Sequence, residues 1–107
     1  MDLFLELEQK QGELDKAIKE LRKAGQEYAE ADATYRRLVA QEALRLKTMG
    51  MAVGLIDKVI YDNEDVVGAL FQRDLKDVLV TASKESINAL KVRIAIIREQ
   101  LAREYGR

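Results

Sequence analysis

Residues 66–105 read VVGALFQRDLKDVLVTASKESINALKVRIAIIREQLAREY, forty residues with no proline and a single early glycine, Gly68. Near its end Ile87, Leu90, Ile94, Ile97 and Leu101 fall alternately three and four apart. That spacing lays one apolar stripe along a helix, the kind of seam found in coiled coils and narrow bundles. A seam in water has to be covered, so this stretch calls for a second helix.

Residues 3–47 can supply it. Phe4, Leu7, Leu14, Ile18, Leu21, Tyr28 and Tyr35 keep a three–four spacing, and Ala17, Ala24, Ala31 and Leu38 run beside them as a second row. The combined face is wider than a strict two-position seam, as a helix with more than one neighbour requires. Gly12 and Gly25 sit inside this helix, where each costs about 1 kcal/mol relative to alanine. Gly25 lies on the apolar face beside Ala24, which predicts close approach of another helix there, with a mild kink as the alternative.

The helix breaks at Leu46-Lys47-Thr48-Met49-Gly50-Met51, where Lys47 suits the negative helix end and Gly50 can take the left-handed cap conformation. Val53, Ile56, Val59 and Ile60 then predict a short helix over residues 53–60 that plugs the end of a hairpin. Asp62 or Asn63 can cap the last helix, residues 64–105, with Glu64 and Asp65 at its positive end. Charge gives the orientation. Residues 1–15 hold Asp2, Glu6, Glu8, Glu13 and Asp15 against Lys10, whereas 84–107 hold Lys84, Lys91, Arg93, Arg98, Arg103 and Arg107 against three acids. Residues 36–47 are basic through Arg36, Arg37, Arg45 and Lys47, opposed by Glu42, and 57–77 are acidic. Antiparallel pairing sets acid against base at both ends. Each exposed pair is worth only about 0.2–1 kcal/mol, so charge selects orientation more than it stabilises.

The reading is therefore an all-α chain of 107 residues, one domain over 1–107, built as a long antiparallel, coiled-coil-like helical hairpin with a short cap helix at the connection. Net charge is −1, so no global basic field argues for nucleic acid or an anionic membrane. Cysteine is absent, which fits a reducing compartment. The opening MDLFLELEQ is acidic where a signal peptide is basic, and no apolar run approaches the roughly 18 residues of a membrane span. These features predict a soluble, cytoplasmic protein.

Two helices of this length bury little more than a seam between them. Phe71, Leu75, Val78, Leu79 and Val80 add apolar surface beyond what one partner covers. The expectation is self-association, a dimer of hairpins forming a four-helix arrangement, with a different protein as the rival occupant. Tyr28, Tyr35, Phe71, Leu75, Val78, Asn88, Ile94 and Ile97 are the expected interface residues. Asn88, beside the seam, is expected to fix register or oligomer order, and Asp32 and Gln11 invite the same argument.

Chemistry is sparsely represented. With no histidine and no cysteine, imidazole catalysis, thiol nucleophiles and His/Cys zinc sites are excluded. No phosphate-binding glycine motif occurs. Ser83 and Lys84 are adjacent and so point to different helix faces. The run Asp62-Asn63-Glu64-Asp65 lacks the glycine and distal glutamate of a calcium loop, and Glu27 with Glu30 lacks an ExxH partner. No enzyme activity, cofactor or metal is expected. The alternative to a protein-binding role is nucleic-acid contact through Arg36, Arg37, Arg45, Lys47, Lys91 and Arg98, with Arg103 in the same row and the tyrosines as stacking surface.

One resemblance adds to this reading. Phe71-x-Arg73-Asp74, Ala82-x-x-Glu85-x-Ile87-Asn88-x-Leu90-Lys91 and Glu99-Gln100-x-x-Arg103-Glu104-Tyr105-Gly106, with Gly50-Met51-Ala52-Val53-Gly54-Leu55-Ile56 upstream, resemble a group of small helical bacteriophage and prophage proteins. The resemblance covers about residues 35–106. It implies an accessory role in phage DNA replication or recombination, or in modulating a host protein, and it implies no catalytic residue.

Overall fold

The computed structural model describes residues 2–105. Gly106 and Arg107, which enter the resemblance and the charge pattern, lie outside the described residues. Helix α1 spans Leu3–Thr48, α2 spans Val53–Val59, a 3-10 turn covers Ile60–Asp62, and α3 spans Glu64–Tyr105. The architecture is all-α, a long helix pair joined through a short helix. The chain divides into two compact units, one of residues 2–24 with 79–105 and the other of 25–78.

The ends of these helices follow from single side chains. Asp2 opens α1, its Oδ1 accepting the Phe4 N–H at 2.9 Å. α1 stops in a Schellman arrangement: Met51 N–H donates to the Leu46 carbonyl at 3.1 Å and Gly50 N–H to that of Lys47 at 3.0 Å. Gly50 has φ 88°, a conformation that any Cβ would strain. Asn63 opens α3, accepting the N–H groups of Asp65 at 2.9 Å and Val66 at 3.1 Å on its Oδ1. Of the two capping residues the sequence offers, Asn63 is the one used.

In the first unit the two long helices run antiparallel, with Ala17, Ile87, Ile94, Ile97 and Leu101 buried and Leu7, Leu14, Leu21 and Leu90 half-buried. Glu6 on α1 meets Arg93 on α3 in a direct ion pair. Phe4, expected on the buried stripe, is exposed and packs against Tyr105 with the rings tilted at 43° and their centroids 5.4 Å apart. Leu3 and Leu7 hold the seam positions instead, and Phe4 falls about 100° away from Leu3 around the helix.

In the second unit Leu46, Ile56, Ile60, Val66 and Ala69 form the apolar core at the connection. The short helix contributes Ile56 and the turn after it contributes Ile60, while Val53 is exposed and plugs nothing. Away from the connection the helices are held by polar contacts, Glu27 to Lys76 at 3.2 Å and Asp32 to Arg73 at 3.8 Å. Gly25 also departs from expectation. A Cβ built there meets no atom within 4 Å, so no helix approaches closely at that glycine.

Candidate interaction surface

The buried side of α3 is set by a three–four repeat through Val80, Ser83, Ile87, Leu90, Ile94, Ile97 and Leu101, all buried or half-buried. At 100° per residue, the opposite side carries a second repeat: Phe71, Leu75, Val78, Ala82, Glu85, Ala89, Val92 and Ile96. Every one of these is exposed, with Phe71 and Val78 at 63 % and Val92 at 61 %. Val67 extends the same side toward the start of α3 and Leu79 widens it. Scattered apolar residues on a surface are ordinary, but an apolar run at helical spacing, as Phe71, Leu75 and Val78 make in the second unit, is a place for another helix to pack.

The expected interface residues separate accordingly. Phe71, Leu75 and Val78 lie on the exposed stripe. Ile94 and Ile97 are buried within their own chain, Ile97 completely, so they offer nothing to a partner and are corrected to core. Tyr28 and Tyr35 are half-buried. Asn88 is exposed, which removes it as a buried register residue. Val67, Val92 and Ile96 belong to the exposed residues as well, and their spacing from Phe71 is visible in the sequence.

Register is fixed elsewhere, by Asn63 and Glu42. Glu42 is the one buried charged residue among the described residues, at 8 % exposure. It accepts two bonds from Arg45, at 2.5 and 3.0 Å, and one from Asn63 Nδ2 at 2.9 Å. The Arg45 guanidinium holds the Glu42 carboxyl below the ordinary carboxylate range, aided by Asn63. Asn63 thus binds the end of α1 with its amide group while its oxygen caps α3. A second polar cluster joins Tyr35 and Tyr61 through their hydroxyls at 3.0 Å, with the Arg73 guanidinium 4.6 Å above the Tyr35 ring. The hydrogen bond with Tyr61 and partial burial push the Tyr35 hydroxyl above its ordinary pKa.

The basic residues are unevenly free. Arg36 pairs with Asp32 at 2.9 Å and Arg45 is committed to Glu42. Arg37 and Lys47 in the second unit, and Lys91 and Arg98 in the first, are exposed. Lys91 and Arg98 flank a shallow groove with Gln11, Leu14 and Asp15, so an acid shares that surface. The expected match of basic residues 36–47 with acidic 57–77 contributes no ion pair among the described residues. Its bases turn to their own helix, as Arg45 does to Glu42 and Arg36 to Asp32. No described helix is long and apolar enough to cross a membrane.

No protein-family model matches the chain, and no curated protein or solved structure matches it either.

Proposed function

We propose that this protein acts by protein–protein contact through the outward face of α3, as an accessory protein of a bacteriophage or prophage. The observation that carries the reading is the exposed apolar row Phe71, Leu75 and Val78 on that helix in the second unit. An apolar row left in water is costly, at about 25 cal/mol per Å² of apolar surface, and covering it supplies affinity. The resemblance of residues 35–106 to phage proteins supports a setting in DNA replication or recombination, or in control of a host protein, in the cytoplasm of the bacterial host. The role is non-enzymatic in this reading, since the stripe offers apolar contact and no reactive group.

The test is affinity capture from infected and uninfected host lysates with the wild-type chain and with Phe71→Asp, which places a charge in the stripe without touching the buried seam. Proteins held by the wild type and lost with the variant are the expected outcome. Identical capture by both would remove α3 as the contact face.

The nucleic-acid reading draws on exposed Arg37, Lys47, Lys91 and Arg98. Fluorescence anisotropy with single- and double-stranded DNA at two salt concentrations separates it. Affinity that falls steeply with salt belongs to phosphate contacts, whereas an apolar interface is insensitive.

A further inference from the structure

The exposed apolar row of the second unit is edged by one sign of charge. From Glu64 to Val78, α3 carries the acids Glu64, Asp65, Asp74 and Asp77 and the bases Arg73 and Lys76. Both bases point away from the row. At 100° per residue they lie about 140–160° round the helix from Phe71, and α1 engages each of them. Lys76 reaches Glu27 at 3.2 Å, while Arg73 sits over the Tyr35 ring at 4.6 Å with Asp32 at 3.8 Å. Arg73 also holds Asp74 at 3.2 Å, but that carboxylate stays 62 % exposed. Glu64 and Asp77 are exposed too and pair with no cation among the described residues. The other bases of this unit are on α1 and α2.

The row and its edge share one side of one helix, wholly inside the second unit. Val67, Phe71, Leu75 and Val78, all exposed, fall within about 40° of Phe71 and run about 16 Å along the axis. Glu64 stands at the head of the row, with Asp74 about 60° and Asp77 about 120° to one side of it. We infer that this face takes a basic amphipathic helix of another protein, apolar on one side and lined with lysine or arginine along its edge. This rests on the reading that the outer face of α3 is a contact surface, and it names the partner's chemistry.

Two arguments select that occupant. The face is the convex side of a helix, so an extended peptide finds no backbone groups to pair with, whereas a helix arrives with its own already satisfied. Charge then chooses among helices. Cations on the incoming edge meet Asp74 and Asp77, while an acidic helix would bring carboxylates against them. A second copy of this chain is disfavoured for the same reason, since it carries the same acids beside the same row. The apolar residues supply the affinity, and the acids supply the selection.

Two model peptides of about 18 residues, each a helix with the same leucine face, test this; one carries lysine at the polar positions and the other glutamate. Each is labelled with fluorescein and titrated with the full chain by anisotropy. The lysine peptide should bind at least about tenfold more tightly than the glutamate peptide, and added salt should narrow the difference. Phe71→Ser, at a side chain 63 % exposed, should weaken binding about tenfold while circular dichroism stays helical. Asp74→Lys combined with Asp77→Lys should reverse the preference toward the glutamate peptide. Equal binding of both peptides, lost in Phe71→Ser, would overturn the basic partner and leave the contact face standing. Failure of the lysine peptide to bind, with capture from lysate still dependent on Phe71, would do the same. Lysine-peptide binding that ignores both Phe71→Ser and the charge reversal would overturn the proposal by placing the attraction elsewhere on the chain. Sedimentation equilibrium covers the remaining occupant: a dimer lost on Phe71→Ser would give the face to a second copy and overturn the proposal. Neither peptide binding nor Phe71-dependent capture would remove the contact face itself.

Discussion

The two units hold the same pair of helices together by different means. In the first, the seam is aliphatic: Ile87, Ile94, Ile97 and Leu101 bury against α1 with Ala17. In the second, apolar burial concentrates at the connection, and the helices are otherwise joined by Glu27–Lys76, Asp32–Arg73, the Tyr35–Tyr61 hydroxyl pair and the Glu42–Arg45–Asn63 network. Aliphatic burial is strong but tolerant of small shifts, since one methyl packs much like another. Hydrogen bonds contribute less, about 0.5–1.5 kcal/mol net each, but only at one alignment. The contrast separates two tasks, stability in the first unit and register in the second.

The largest effect should come from breaking the aliphatic seam. Ile97→Ala removes a side chain with no exposed surface and is expected to cost about 2–5 kcal/mol in urea unfolding. Val92→Ala, on the exposed side of the same helix, should stay within about 0.5 kcal/mol as a monomer. Equal losses from the two would erase the distinction between seam and outer face.

Next in size is the register network. Asn63→Ala removes the cap of α3 and a donor to Glu42 at once, for an expected loss of about 0.5–2 kcal/mol by thermal unfolding. Glu42→Gln tests the charge. A carboxyl whose pKa lies lower in the folded than in the unfolded chain stabilises fully above its unfolded value and loses that contribution as pH falls through the folded one. The gap in Tm between wild type and Glu42→Gln should therefore be full at neutral pH and close in acid. A gap that widens in acid would contradict the Arg45 pairing.

Gly25→Ala should go the other way. It fills open space inside a helix, and replacing glycine there is expected to add about 1 kcal/mol of stability. A loss instead would mean that another chain does pack at that point.

The smallest expected effect is Tyr61→Phe, about 0.5 kcal/mol or less for a partly exposed hydroxyl pair. Its clearer signature is spectroscopic. Without the Tyr61 hydroxyl, Tyr35 should ionise at lower pH in a tyrosinate titration, and an unchanged midpoint would dissolve the pair.

Much of the fold was legible because its signals are local. Gly50 after Lys47 announces the end of α1, Asn63 before two acids announces the start of α3, and Ile87 to Leu101 mark a buried face by spacing alone. The errors arise where a residue's fate depends on what stands opposite it. Periodicity places Ile94 and Ile97 on a seam but does not say which helix covers it, and α1 of the same chain does. Phe4 and Val53 are large and apolar, yet each sits one step around its helix from a position that has a neighbour. Glu42 carries no sequence signal of burial, because its partner Asn63 lies 21 residues away. The outer stripe of α3 was half legible. Phe71, Leu75 and Val78 stand out, but Ala82, Glu85 and Ala89 break the apolar run before Val92 and Ile96 resume it.

The doubly used Asn63 has a consequence for how the chain folds. Its bond to Glu42 closes a loop of only 21 residues, whereas the Glu6–Arg93 pair closes one of 87. Short loops cost less chain entropy, so the pairing around the connection should form early and the long-range pairs late. Substitution at Asn63 should then slow refolding. Removing Arg93 should leave the refolding rate nearly unchanged and instead speed unfolding, and stopped-flow kinetics would read both.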